Sequence, residues 1–216
     1  MNVIIQELKD LLKTKSIGTD SDRALLLDFQ ATLETKPEKA IKLEKDALAQ
    51  IENITADNAR LVSNLHANLG GLYRMNGHPD LAREHMEKSI SLLDQFNLLH
   101  INDSIPQIAN YAMFLTEQQE PERGISELQK LSGIIKEYHS DDCLDYAKVQ
   151  ETLGTIYLMT ANLPQAKTHF KKAFKIYEKI WADEPEMIEA KYQEIQELYP
   201  QIGFCIGKNL SGLLTK

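Results

Sequence analysis

Residues 36–40 have the sequence KPEKA, and close variants return as HPDLA at residues 78–82 and EPERG at residues 120–124. The three prolines stand at positions 37, 79 and 121, a spacing of 42 residues each time, and a looser copy, LPQAK, occupies residues 163–167. A fixed period of this size indicates a structural unit that is repeated along the chain. The chain is therefore predicted to be an array of repeats.

The residues between the prolines have helical periodicity. The stretch NLHANLGGLYRMNG at residues 64–77 has apolar residues at helical spacing and ends at Asn-Gly, a signal for the end of a helix. Proline is tolerated in the first turn of a helix, and the acidic residue after each of the three prolines suits the positive helix end. Each unit is thus predicted to be a helix, a turn and a second helix that begins near the proline.

Small residues recur with the same period in the first helix of a unit, at Gly70, Ala112 and Gly154. Glycine inside a helix is less favourable than alanine by about 1 kcal/mol, so its recurrence needs a packing reason. Close approach of the two helix backbones supplies that reason. We predict that the paired helices cross at these positions.

Composition favours an all-α protein, since the 216 residues include only 10 glycines and 7 prolines. The formal net charge of −8 argues against nucleic acid or an anionic membrane as a partner and favours solubility or a basic ligand. Cys143 and Cys205 have no metal-binding spacing, which fits a reduced, cytoplasmic setting. No stretch is long and apolar enough for a membrane span, and residues 1–15 do not resemble a secretion signal.

Residues 153–173 resemble the tetratricopeptide repeat, and residues 69–89 resemble it nearly as well. The matching positions are Leu153, Gly154, Tyr157, Ala166, Phe170 and Ala173 in one unit, and Leu69, Gly70, Tyr73, Ala82, Met86 and Ser89 in the other. The units at residues 21–54 and 105–139 match less well, because Asp28 replaces the small residue in one and Leu115 replaces the tyrosine in the other. The signature tryptophan is absent from every unit.

The period of 42 residues is longer than the family's usual period of about 34. It is similar to the variant found in kinesin light chains and in bacterial peptide-responsive regulators. The resemblance implies an α-solenoid, in which antiparallel helix pairs form a right-handed superhelix. About eleven helices are expected.

We expect one repeat domain over residues 1–216. It comprises a capping helix at 1–18, helix-turn-helix repeats at 19–56, 57–100, 101–140 and 141–183, and an atypical repeat or cap at 184–216. The first helix is alternatively half of a repeat cut from a longer array. Both ends are expected to shield the apolar face that a terminal repeat would otherwise expose.

Signals for catalysis, a metal or a cofactor are poor. GFCIGKN at residues 203–209 has the wrong glycine spacing for a phosphate-binding loop, and the six histidines have no metal-binding pattern. Histidines at the surface or in repeat packing are the better interpretation, and any pair of neighbouring acids is expected to be chance. The sequence predicts neither an enzyme nor a bound metal or cofactor.

The resemblance implies that the first helix of each unit lines a concave groove, where Asn68 and Asn110 hold equivalent places. A carboxamide has both a donor and an acceptor, so it can clamp a peptide backbone, and the long-period relatives use asparagines in this way. The full set of predicted peptide-binding residues is Asn64, Asn68, Arg74, Asn110, Lys148, Thr152 and Thr155.

The predicted function is a protein-interaction scaffold that binds an extended peptide or a partner helix in this groove. The alternative is a self-associating structural or regulatory protein, a homodimer that pairs through its terminal helices.

Overall fold

The computed structural model describes residues 18–100, 104–198 and 200. These residues contain nine α-helices and no strand. The helices are α1 (Asp20–Thr32), α2 (Pro37–Leu48), α3 (Ala59–Met75), α4 (Pro79–Gln95), α5 (Ser104–Glu117), α6 (Pro121–Tyr138), α7 (Leu144–Met159), α8 (Leu163–Ile180) and α9 (Pro185–Leu198). The all-α prediction is confirmed. Residues 1–17 of the expected cap and residues 201–216 of the expected terminal unit lie outside the described residues.

The prolines of the repeated motif start helices, as predicted. Pro37, Pro79 and Pro121 are the first residues of α2, α4 and α6, and each is followed by an acidic residue in the first helical turn. A first-turn amide has no partner within its helix, so proline is accommodated there without losing a hydrogen bond. The proline in each turn therefore determines where the second helix of the unit begins.

Three of the turns that lead into these second helices contain a residue with positive φ. Gly77 has φ 75°, Gln119 has φ 65° and Ala161 has φ 58°, and they are again 42 positions apart. Glycine adopts this left-handed conformation without steric conflict, whereas a residue with a Cβ is strained by about 1 to 2 kcal/mol. The backbone of the turn is conserved between the units although its glycine is not.

The chain divides into two compact units, with the boundary after Tyr111, inside α5. In the N-terminal unit, α3 and α4 pack antiparallel, since Ser63 in the early part of α3 contacts Ser89 in the later part of α4. At their crossing, a Cβ on Gly70 would lie 2.5 Å from Cγ of Met86. Glycine is thus required for this close approach, as the sequence predicted.

In the C-terminal unit, α7 and α8 form the corresponding pair. A Cβ on Gly154 would lie 2.9 Å from the ring of Phe170, and both residues are buried. Trp181, the only tryptophan of the chain, caps the C-terminus of α8 and stacks on Tyr177 with ring centroids 4.9 Å apart. In neither unit does a helix of the described residues have the length and apolarity that crossing a bilayer would need.

Candidate functional site

A groove in the N-terminal unit follows the face of α3 that carries Asn64, Asn68 and Arg74. It consists of two adjoining hollows of about 290 Å³ and about 190 Å³. We call it the amide groove, and it is lined by Asp28, Asn64, Ala67, Asn68, Gly71, Arg74, Met75, Met86, Ser89, Pro106, Gln107 and Asn110. Four of the seven predicted peptide-binding residues, Asn64, Asn68, Arg74 and Asn110, therefore lie in one groove.

Asn64 is held in place by a buried polar network. Its Oδ1 accepts a hydrogen bond of 2.5 Å from Nε2 of Gln107. The Oε1 of the same glutamine accepts from the hydroxyls of Ser63 and Ser89, at 2.8 Å and 2.6 Å. Gln107 thereby joins α3, α4 and α5, and it fixes the orientation of the Asn64 carboxamide at the groove wall.

Asn68 is engaged with two carboxylates. Its Nδ2 donates to Oδ1 of Asp28 at 2.8 Å and to Oε1 of Glu44 at 3.2 Å. A carboxamide nitrogen has two protons, so both are used within the protein. Asn68 could donate to a ligand only if one of these bonds broke, whereas Asn110 is exposed at the groove surface.

Asp28 and Glu44 form a carboxylate pair that the sequence analysis missed, because it treated neighbouring acids as chance. Glu44 is 1% exposed, and burial together with the charge of Asp28 raises its pKa to about 9. The Glu44 carboxyl is therefore neutral at pH 7. The signal that could have found it is the period: position 44 lies 42 residues before Met86, at the place that Leu128 and Phe170 occupy in later units.

The remaining predicted binding residues lie in the C-terminal unit on α7. The Thr152 hydroxyl donates to the Lys148 carbonyl at 2.9 Å, and the Thr155 hydroxyl donates to the Glu151 carbonyl at 3.1 Å, so both bond back to their own helix. Lys148 is exposed, with Nζ 3.8 Å from Asp145. It lines a separate hollow of about 320 Å³, together with Leu144, Tyr177, Trp181, Met187, Ala190, Lys191 and Glu194.

Three histidines take part in repeat packing. The ring nitrogens Nδ1 of His66 and His85 are 2.9 Å apart, and Tyr73 stacks on His85. In the C-terminal unit, His169 contacts Gln150 and stacks on Tyr157 in the same manner. Burial lowers the pKa of both His66 and His169 to about 4, so both are neutral at pH 7.

Across residues 18–100 and 104–198, no three or more His, Cys, Asp or Glu side chains are grouped so that they could hold a metal ion. The polar chemistry of the described structure is therefore that of amides, carboxyls and paired charges. Such groups can bind a ligand through hydrogen bonds and charge.

Residues 104–179 match the family model described as Tetratricopeptide repeat. No curated protein matches the sequence significantly. Among solved structures, BtubC (BKLC) from P. vanneervenii is similar with a TM-score of 0.73 at 16% identity, over 98% of this chain and 89% of that chain. A protein of Podosopora anserina assigned as a kinesin light chain, with nearly identical TPR-like repeats, has a TM-score of 0.68 at 14% identity, over 84% and 90%. MamA has a TM-score of 0.56 at 16% identity, over 81% and 87%. At these identities the likeness concerns the fold, a solenoid of helical repeats.

Proposed function

Since this chain carries tetratricopeptide repeats and so has the fold of a protein-interaction scaffold, we propose that it binds an extended peptide segment of a partner protein in the amide groove. One observation carries the proposal. Four carboxamides from two helices, those of Asn64, Asn68, Gln107 and Asn110, converge on a single groove. An extended peptide presents backbone donors and acceptors at every residue, and carboxamides satisfy both kinds.

The shape of the groove supports a backbone ligand. Ala67 and Gly71 are the small residues on the groove face of α3, and a Cβ on Gly71 would meet nothing within 4 Å. This leaves room for a chain to lie close to the helix. Because Asn64 and Asn68 are already fixed by bonds within the protein, ordering them on binding costs little entropy.

Asn110 has the main binding role in this proposal. It is exposed and borders both hollows, so it contacts a peptide anywhere along the groove. Asn64 contributes the amide protons that its bond to Gln107 does not use, because that bond occupies only its oxygen. Asn68 contributes its carbonyl oxygen, since both its protons are donated to carboxylates.

The setting and the assembly of the protein also belong to the proposal. With two cysteines in 216 residues, the composition supports a cytoplasmic protein. Self-association through the terminal helices, the alternative function, concerns residues outside the described ones. Light scattering before and after removal of residues 200–216 tests that alternative separately from peptide binding.

The test is selection of binders from a random peptide display library, followed by calorimetry on the enriched peptides. The double variant Asn64→Ala, Asn110→Ala should bind at least about tenfold more weakly, corresponding to about 1.4 kcal/mol, because buried ligand groups lose their partners. Gln95→Ala removes an exposed carboxamide at the end of α4 and should bind normally. Enriched peptides that bind the double variant as tightly as the parent would show that the groove is not the site.

A further inference from the structure

The crossing of α1 and α2 has two acids where the later units have small and apolar residues. Asp28 stands at the position equivalent to Gly70, Ala112 and Gly154, and Glu44 at the position equivalent to Met86, Leu128 and Phe170. Burial of an unpaired carboxylate is unfavourable, and the other units show that packing does not require one here. The pair therefore has a use other than packing.

Part of the hydrogen-bonding capacity of this pair is unused. Asn68 supplies one proton to each carboxyl group, while two carboxyl groups have four oxygens that can accept. Oε2 of Glu44 is buried and accepts no hydrogen bond, while the Glu44 carboxyl is itself hydrogen-bonded to Asp28. The pair thus carries a single negative charge at pH 7, which a positively charged hydrogen-bond donor would neutralise.

The neighbouring helices of the described structure supply no such cation. Asp28 on α1 and Asn68 on α3 are the groups that act on the Glu44 carboxyl. The adjacent Lys45 on α2 points its ammonium at the ring of Tyr73, 5.5 Å from the centroid. A ligand in the groove can supply a cation that balances the negative charge of Asp28.

A ligand in the amide groove reaches Asp28 of this pair directly. Asp28 lines the hollow of about 290 Å³ together with the carboxamides of Asn64, Asn68 and Asn110. Glu44 is buried and is not a lining residue of this hollow, but it shares the Asn68 amide with Asp28. The net charge of −8 also favours approach of a basic ligand.

We propose that Asp28 and Glu44 together recognise a basic side chain, arginine or lysine, of the peptide that occupies the amide groove. The inference rests on the proposed function and specifies the class of peptide. Arginine suits the pair best, since its planar guanidinium has five donors and can bond two carboxylates at once.

Binding of the cation is linked to a proton. In the unliganded protein, Glu44 holds a proton at pH 7 because burial and the Asp28 charge raise its pKa. When a guanidinium arrives, Glu44 releases that proton to solvent and the carboxylate bonds the cation instead. Binding should therefore tighten as pH rises, since less work is needed to remove the proton.

The experiment uses acetyl-Gly-Gly-Arg-Gly-Gly-amide and its citrulline analogue, in which a neutral urea replaces the guanidinium. Both peptides are titrated into the whole protein, and the side-chain amide signals of Asn68 and Asn110 are followed by NMR. The arginine peptide should bind at least about tenfold more tightly. Its preference should grow from about pH 6 to about pH 9, a range in which arginine stays charged.

Substitutions of Asp28 and Glu44 test whether these two residues cause the preference for the arginine peptide. Asp28→Asn removes a negative charge, and Glu44→Gln prevents the ionisation that binding of the cation requires. Both keep an oxygen for Asn68, so the fold should survive, and each should lower the preference for arginine to below about threefold. The matched control is Glu38→Gln, an exposed glutamate in the first turn of α2, which should keep the full preference.

Equal affinity of the two peptides, or selectivity that survives in both variants, would overturn the inference. In either case shifts at Asn110 would still support the groove as a peptide site, so the two proposals fail separately. Absence of any shift with the arginine peptide at its highest soluble concentration would overturn the inference as well.

Discussion

Two helix crossings of this molecule occupy the same place in the repeat and are built from opposite chemistry. Between α7 and α8, Gly154 lies against the buried ring of Phe170 in an apolar contact. Between α1 and α2, Asp28 and Glu44 stand at the equivalent positions and are bridged by Asn68. The helical hairpin is retained in both, since Ala24 of α1 and Ala47 of α2 still pack with Leu65 in a buried apolar cluster. In our proposal the α1–α2 crossing carries binding chemistry, whereas the α7–α8 crossing contributes stability.

The largest expected change in stability comes from removing the Phe170 ring from the apolar α7–α8 crossing. Phe170→Ala should reduce the free energy of unfolding by about 3 to 5 kcal/mol, because the buried ring leaves a cavity that a packed helix pair cannot fill. Chemical denaturation measures it. Phe29→Ala, which removes a ring that is 48% exposed, is the control and should cost clearly less, about 1 kcal/mol, because much less apolar surface is buried there. Equal effects of the two changes would mean that the α7–α8 crossing is not a stability centre.

The next largest change in stability is expected when a larger side chain replaces Gly154 at the same crossing. Gly154→Leu should destabilise by about 1 to 3 kcal/mol, since its first added carbon alone would lie 2.9 Å from the Phe170 ring. The matched control is Gly133→Leu on α6, where an added Cβ meets nothing within 4 Å. Thermal or chemical unfolding of both variants gives the comparison. A harmless Gly154→Leu would place the close approach of the helices elsewhere.

At about pH 5.5, the smallest change in the free energy of unfolding is expected at the α1–α2 crossing. There the substitution should stabilise the protein instead of destabilising it. The pKa of Glu44 is raised in the folded protein to about 9, so the folded state keeps a proton that the unfolded state loses above its ordinary pKa near 4.5. The contribution of Glu44 to the free energy of unfolding is thus fully present below about pH 4.5 and is lost as pH rises toward 9. Glu44→Gln should be more stable than the parent by about 1 kcal/mol at pH 5.5, and the gain should widen at pH 8.

The quantity to measure is the difference in free energy of unfolding between the parent and the variant. This is because His66 and His169 make both proteins less stable at low pH, the opposite of the pH dependence that Glu44 causes. Their pKa values are lowered to about 4, so they remove stability as pH falls below about 6.5. That contribution cancels in the difference. A difference that stays constant between pH 5.5 and pH 8 would mean that Glu44 is not held protonated in the folded protein.

The parts of the fold that depend on local chemistry were predictable from the sequence. Pro37, Pro79 and Pro121 start helices because a proline is accommodated only in the first turn, whatever surrounds it. Gly70 and Gly154 reveal the crossings because a glycine in a helix is otherwise unfavourable. Their periodic spacing was enough to indicate paired helices.

The state of the candidate binding residues was not predictable in the same way, because it depends on partners distant in sequence. Asn68 was placed at the groove by its spacing, but its protons are taken by Asp28, 40 residues earlier, and by Glu44. The burial of Glu44 is a tertiary property, although its position in the period was visible. Thr152 was predicted as a binding residue from its spacing, but spacing does not reveal that its hydroxyl donates to a carbonyl of its own helix.

Trp181 gives the C-terminal unit an optical signal of its own. It is the chain's single tryptophan and stacks on Tyr177, so its emission changes when α8 loses its packing against neighbouring side chains. Circular dichroism, by contrast, records the helices of both units. Coincident transitions by the two methods indicate that the units unfold together, and separated transitions indicate that they unfold one after the other. The two halves of the molecule can therefore be distinguished in solution without an added fluorescent label.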